Sequence, residues 1–136
     1  MITLSQYFAG KPHDEDQQDL ATDLLDSVNE LCEAYEADTG FQLLTCPNTG
    51  SQVSVSKNGH GDGGFRLQTA TTGKQNSSHK EARAVDIFDP GNRLDHWITD
   101  DILEAHGLYR EAPDSTNSWC HLTTRAPHSG RRTFQP

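Results

Sequence analysis

Between Asp14 and Asp38 apolar residues recur every three or four positions, at Leu20, Leu24, Val28, Leu31 and Tyr35, with Leu25 and Cys32 widening the stripe. That period, with acidic residues on the opposite side, predicts an amphipathic helix over 14–38. Asp14 with Gln17 forms a candidate capping box at its start, and Gly40 after Thr39 marks its end. The acids of its first turns sit where the helix dipole favours them. A second helical period, Leu94, Trp97, Ile98, Ile102 and Ala105, predicts a helix over 94–106 closed by Gly107. Four short runs read as strands: Phe41–Cys46 before the turn-forming Pro47-Asn48-Thr49-Gly50, Val53 and Val55 alternating with Ser, Ala84–Phe88 before Asp89-Pro90-Gly91, and Trp119–Thr123. From Lys57 to Ser78 the chain is rich in Gly, Thr, Ser and Asn, which predicts a long loop that buries little and is either mobile or ligand-facing.

Hydrophobic residues make up 32% of the 136, so the expected core is modest, and the length fits one domain over residues 1–136. A chain of this size buries about two-thirds of its unfolded surface and folds without a disulfide framework. Eleven Lys and Arg against twenty Asp and Glu give a net charge of −9. Such a balance repels phosphate backbones and anionic lipid, so neither nucleic acid nor a membrane is expected as a partner. No basic region followed by an apolar stretch opens the chain, and no apolar run is long enough to span a bilayer, so a cytoplasmic protein is expected. Cys32, Cys46 and Cys120 form no C-x-x-C pair and read as reduced, structural thiols. The basic tail from Arg125 to Pro136 carries Arg125, Arg131 and Arg132, which are expected to pair with acids of the first helix rather than touch an anionic ligand.

The candidate chemistry lies in Ser77-Ser78-His79-Lys80-Glu81-Ala82-Arg83-Ala84-Val85-Asp86, which sets a His at the end of the polar loop and an Asp inside the following strand. Trp119-Cys120-His121 supplies a further imidazole on another strand. Neighbouring strands lie about 5 Å apart, so His79, Asp86 and His121 could share one ion. Two neutral imidazole nitrogens and one carboxylate oxygen suit zinc (Zn2+), and three protein ligands leave the fourth tetrahedral position for water, as in catalytic sites. Taken bare, the same residues also read as surface or hydrogen-bonded core groups. His13, His60, His96, His106 and His128 read as exposed polar residues, and Trp97 and Trp119 as core.

The surrounding pattern resembles S-x-H-x-x-G-x-A-x-D, the signature of the M15-type zinc D-Ala-D-Ala carboxypeptidase and L-alanyl-D-glutamate peptidase family, which cuts bacterial cell-wall peptides. It matches at Ser77, His79, Ala84 and Asp86 and departs at Ala82, where the family usually has Gly. Trp119-x-His121 is similar to the strand that carries the family's last zinc ligand, and Gly64-Phe65-Arg66 to S-G-[YF]-R, whose Arg grips a substrate carboxylate. The resemblance spans roughly residues 63 to 136 and includes a tail like that of small phage and prophage members. It implies an α+β fold of the hedgehog/D-Ala-D-Ala peptidase type: a small antiparallel sheet with helices packed on it and the zinc site on the sheet.

By the same resemblance His79, Asp86 and His121 hold zinc, while Arg66 and Ser77 position the peptide. The family often has an acid three residues before the last His, but here that position is Ser118. The acid-base role then passes to Asp114 or Glu111 on the preceding loop, with Asp114 preferred, unless both are only solvated acids. The implied protein is a monomeric zinc peptidase acting on peptidoglycan stem peptides or cross-bridges. As a phage or prophage lytic enzyme it would be made in the host bacterial cytoplasm and reach the periplasm or cell wall on lysis. The alternative is a catalytically inactive, zinc-stabilised binding protein on the same fold, recognising cell-wall fragments or a protein partner.

Overall fold

A computed structural model of the chain describes residues 1–55, 63–70 and 77–136. Helix α1 (Leu4–Phe8) leads into the long α2 (Glu15–Thr39), and strand β1 (Ala84–Phe88) follows. Two short helices, α3 (Arg93–Trp97) and α4 (Asp100–Ala105), then precede β2 (Tyr109–Glu111), a 3-10 turn (Pro113–Ser115), β3 (Trp119–Thr123) and β4 (Thr133–Phe134). The four strands form one sheet in the order β1-β3-β2-β4. β3 runs antiparallel to both β1 and β2, whereas β4 runs parallel to β2. The fold is therefore α+β with a small mixed sheet, in place of the purely antiparallel one expected.

The first predicted helix forms as its sequence dictates. The Asp14 carboxylate accepts the Gln17 N–H at 2.8 Å, the Gln17 side-chain oxygen accepts the Asp14 N–H at 2.9 Å, and Gly40 closes the helix in the left-handed conformation at φ 73°. Its apolar stripe buries Leu24, Leu25, Val28, Leu31 and Tyr35. Side chains alternate along each strand, so β1 and β3 turn Val85, Ile87, Cys120 and Leu122 into the same core cluster and leave Asp86 and His121 on the other face. All three cysteines are free and buried. Burial pushes the Cys32 thiol up to about 12 and the Cys120 thiol well above its ordinary value, so both stay protonated. No helix among the described residues is long and apolar enough to cross a membrane.

Several expected elements differ. Phe41–Cys46 is not a strand: Phe41 and Leu44 are 50% and 56% exposed, and among the described residues the segment pairs only through a bridge from Cys46 to Ser51 around its own turn. Around Val53 the chain does lie against β1, bridging Ile87 and exchanging the Ser54–Asp86 and Phe88–Gln52 backbone hydrogen bonds, but too briefly for a strand. The predicted helix over 94–106 breaks at Ile98, which is extended. Thr99 then caps the second piece by accepting the Ile102 N–H at 3.3 Å. Apolar spacing continues across the break and conceals it. Gly107 follows at φ 67°, in its expected capping role.

Candidate metal centre

Asp86 in the middle of β1 lies directly opposite His121 on β3. His79 arrives from a tight turn in which the Ser77 hydroxyl accepts the His79 N–H at 3.2 Å and the Ser78 carbonyl accepts the Arg83 N–H at 2.9 Å. The turn needs a left-handed residue, and Ala82 fills it at φ 59° with its side chain fully buried. This is the position where the resembled signature has Gly, and the backbone gives the reason.

Three donor atoms converge. His79 Nε2 lies 3.3 Å from His121 Nδ1 and 3.4 Å from Asp86 Oδ1, and His121 Nδ1 lies 2.8 Å from the same oxygen. Zinc–ligand bonds of about 2.0–2.1 Å give a tetrahedron with edges of about 3.3–3.4 Å, so two of the three separations already match a shared ion. The third is the length of a hydrogen bond between His121 and Asp86. On its far side, His79 Nδ1–H donates to the Gly64 carbonyl at 2.9 Å. A carbonyl only accepts, so this contact fixes the tautomer and leaves Nε2 with its lone pair toward the site. The trio His79, Asp86 and His121 could hold a metal ion.

Electrostatics point the same way. Burial pushes the Asp86 carboxyl up, but electrostatic attraction to the His79 and His121 imidazoles and the hydrogen bond from His121 outweigh it and hold the group far below the usual carboxylate range. Burial pushes His121 down, yet the hydrogen bond and charge of Asp86, helped by Glu111, raise it above its ordinary value. The carboxylate thus keeps its negative charge and draws a cation to the imidazoles. A proton fills that role where a metal ion does not.

Arg66 Nη2 reaches the outer oxygen of Asp86 at 3.5 Å. Its segment is packed more tightly than a solvated loop. A Cβ at Gly63 or Gly64 would strike the carbonyl oxygen of Ser54 or Tyr7, the Asp86 N–H donates to Gly63 at 2.7 Å, and Phe65 is 2% exposed in the core beside Phe8. The expectation that 57–78 buries little fails for this stretch, since backbone contacts from α1 and β1 enclose it.

Of the two candidate acids, one comes to the site. Continuing the β2–β3 register beyond Arg110 and Leu122 sets Glu111 beside His121, and β4 sets Phe134 beside Glu111. Asp86, His121, Glu111 and Phe134 therefore form a row across all four strands. Asp114 is exposed on the 3-10 turn and does not line the cavity around the row. Ser118, at φ 83°, has a backbone role: its N–H donates to Asn92 at 3.1 Å and its carbonyl accepts from Asp89.

The trio opens into a cavity of about 1210 Å3, whose wall includes Arg66, Ser77, Glu111, Trp119, Arg131 and Phe134. Trp119 is thus part of the site rather than the core. The tail was expected to pair with α2, but Arg125 pairs with Glu81 at 3.3 Å, Arg132 stacks on Tyr109 at 4.3 Å, and Arg131 faces the cavity. The only signal for this was the turn Ser129-Gly130 followed by an alternating Arg-Thr-Phe run. His60 lies outside the described residues. His13 and His96 are exposed as expected, His106 is half-buried with Nδ1–H donating to Ile102, and His128 is exposed at the cavity rim. Comparison with protein-family models, curated proteins and solved structures finds no match to this chain.

Proposed function

We propose that the chain is a zinc-dependent peptidase of the hedgehog/D-Ala-D-Ala peptidase type, acting on peptidoglycan stem peptides or cross-bridges as a phage or prophage lytic enzyme. One observation carries the reading: two buried imidazoles and a carboxylate aim their donor atoms at one point on the floor of an open cavity. Zinc held by His79, Asp86 and His121 would polarise the scissile carbonyl and lower the pKa of water toward 7. Glu111, rather than Asp114, takes the proton from the attacking water and returns it to the leaving amine, because it is the acid in line with His121. Arg66 holds Asp86 through one oxygen and turns a guanidinium fork toward a peptide carboxylate, and Ser77 fixes the backbone of His79 while facing the same space. The enzyme is made in the cytoplasm of the infected bacterium, works as a monomer, and meets its substrate in the periplasm or cell wall on lysis.

Release of new amino groups from purified peptidoglycan tests this. The expected result is release that stops with a chelator and returns with zinc. No release from protein carrying a full equivalent of zinc overturns it. That outcome favours the second reading, a zinc-stabilised binding protein, which rests on Ser118 standing where the resembled family often carries the acid.

A further inference from the structure

The protein carries a net charge of −9, yet the cavity wall does not share it. Among its side chains, three guanidinium groups, Arg66, Arg125 and Arg131, face two carboxylates, Asp86 and Glu111. Asp86 is committed to His79 and His121, Arg66 to Asp86, and Arg125 to Glu81. Among the described residues Arg131 has no carboxylate partner.

The tail is built to hold Arg131 there. Gly130 turns the chain at φ 71°, its N–H donating to Pro127 at 3.0 Å, and the Ser129 hydroxyl accepts the Arg131 N–H at 3.3 Å. Beyond it the Arg132 and Phe134 carbonyls accept the Arg110 and Ala112 N–H groups, each at 2.8 Å, which pins β4 to β2. Arg132 meanwhile donates to Leu108 and covers Tyr109, so its charge is spent outside the cavity. Two adjacent arginines thus have opposite fates, and only one faces the site.

We infer that Arg131 is a specificity-determining residue, forming a subsite for a peptide carboxylate separate from the one that Arg66 faces. This deepens the peptidase reading and rests on the cavity being a peptide site. A guanidinium fork matches a carboxylate in shape and charge, and substrates with an acidic group on the tail side of the scissile bond would be drawn in over neutral ones.

Fluorescence of Trp119, which lines the cavity, reads binding without turnover. The probes are acetyl-Ala-Glu-Lys amide, its neutral Gln counterpart, and that counterpart with a free terminal carboxylate, which separates side-chain from terminal recognition. At low salt the wild type should bind at least one acidic probe about fivefold more tightly than the neutral one, the scale of a single partly exposed ion pair. Arg131→Gln should cut that preference below about twofold and leave the neutral probe unchanged, whereas Arg132→Gln, with the same change in net charge, should keep it. Loss of the preference in both variants, its survival in Arg131→Gln, or its absence from the wild type overturns the inference. An Arg131-dependent preference in a protein that releases nothing from peptidoglycan supports the subsite and removes the peptidase reading alone.

Discussion

The two faces of the sheet obey different rules. Val85, Ile87, Cys120 and Leu122 share one apolar cluster with the buried stripe of α2, which needs no partner outside the chain. One residue along each strand, the half-buried Asp86 and the buried His121 are polar groups that cost stability unless something pairs them. On the first face burial itself is the driving force. On the second, burial is tolerated because the donors pair with one another and could share a metal ion, so the candidate site and the apolar core lie back to back on the same strands.

The contrast is broken most sharply by removing the acid beside the trio. General acid-base help is worth about 10²–10⁴ in rate, so Glu111→Gln should lose that much turnover while keeping its metal and its melting temperature. Asp114→Asn, on the exposed turn, should turn over like wild type. The reverse result would move the proton carrier to Asp114.

Next come paired truncations on the two faces. Ile87→Ala opens a cavity in the core and should cost about 2–5 kcal/mol whether or not metal is present. His121→Ala should instead abolish the zinc-dependent rise in melting temperature, a stabilisation of about 2.7 kcal/mol at 100 times Kd. Calorimetry with and without chelator separates the two. A chelator shift that survives in His121→Ala would exclude it as a ligand.

The same contrast governs what the sequence makes legible. Helix α2, β1, β3 and the trio are readable because capping boxes, the 3.6 period and strand alternation are written in adjacent residues. β2 and β4, three and two residues long, have no period to read, so the approach of Glu111 and Arg131 to the cavity depends on a register that only the assembled sheet defines. Phe65 looks like part of a polar loop until Tyr7 and the close approach at Gly63 and Gly64 enclose it. Asp114 and Glu111 are equivalent on the chain and differ only once the sheet aligns one of them with His121.

Acidity tests whether a proton stands in for the metal. The His121 pKa is raised on folding, so its contribution to the metal-free protein is full below its ordinary value of about 6.5 and is lost as pH rises through the folded value. That of Asp86 is depressed, so its contribution is present above its unfolded value of about 3.9 and disappears in acid. Metal binding needs His121 neutral and strengthens over the same rise. From pH 6 to 8.5 the chelated protein should melt progressively lower, and the gap between it and the zinc-loaded protein should widen. Parallel curves would mean that proton and metal do not compete for this site.

The smallest effect probes the turn that delivers His79. For an L-residue the left-handed conformation of Ala82 costs about 1–2 kcal/mol. Ala82→Gly removes that strain, but it also frees the unfolded chain at a cost of about 0.4–1 kcal/mol and withdraws a buried methyl worth about 0.8 kcal/mol. These contributions nearly cancel, so the variant should melt within about 1 kcal/mol of wild type and bind zinc as tightly. Ala82→Val, which adds a branched side chain at a fully buried left-handed position, should lose both stability and metal. A loss above about 2 kcal/mol in Ala82→Gly would show that the methyl's packing, rather than the backbone's hand, is what residue 82 supplies.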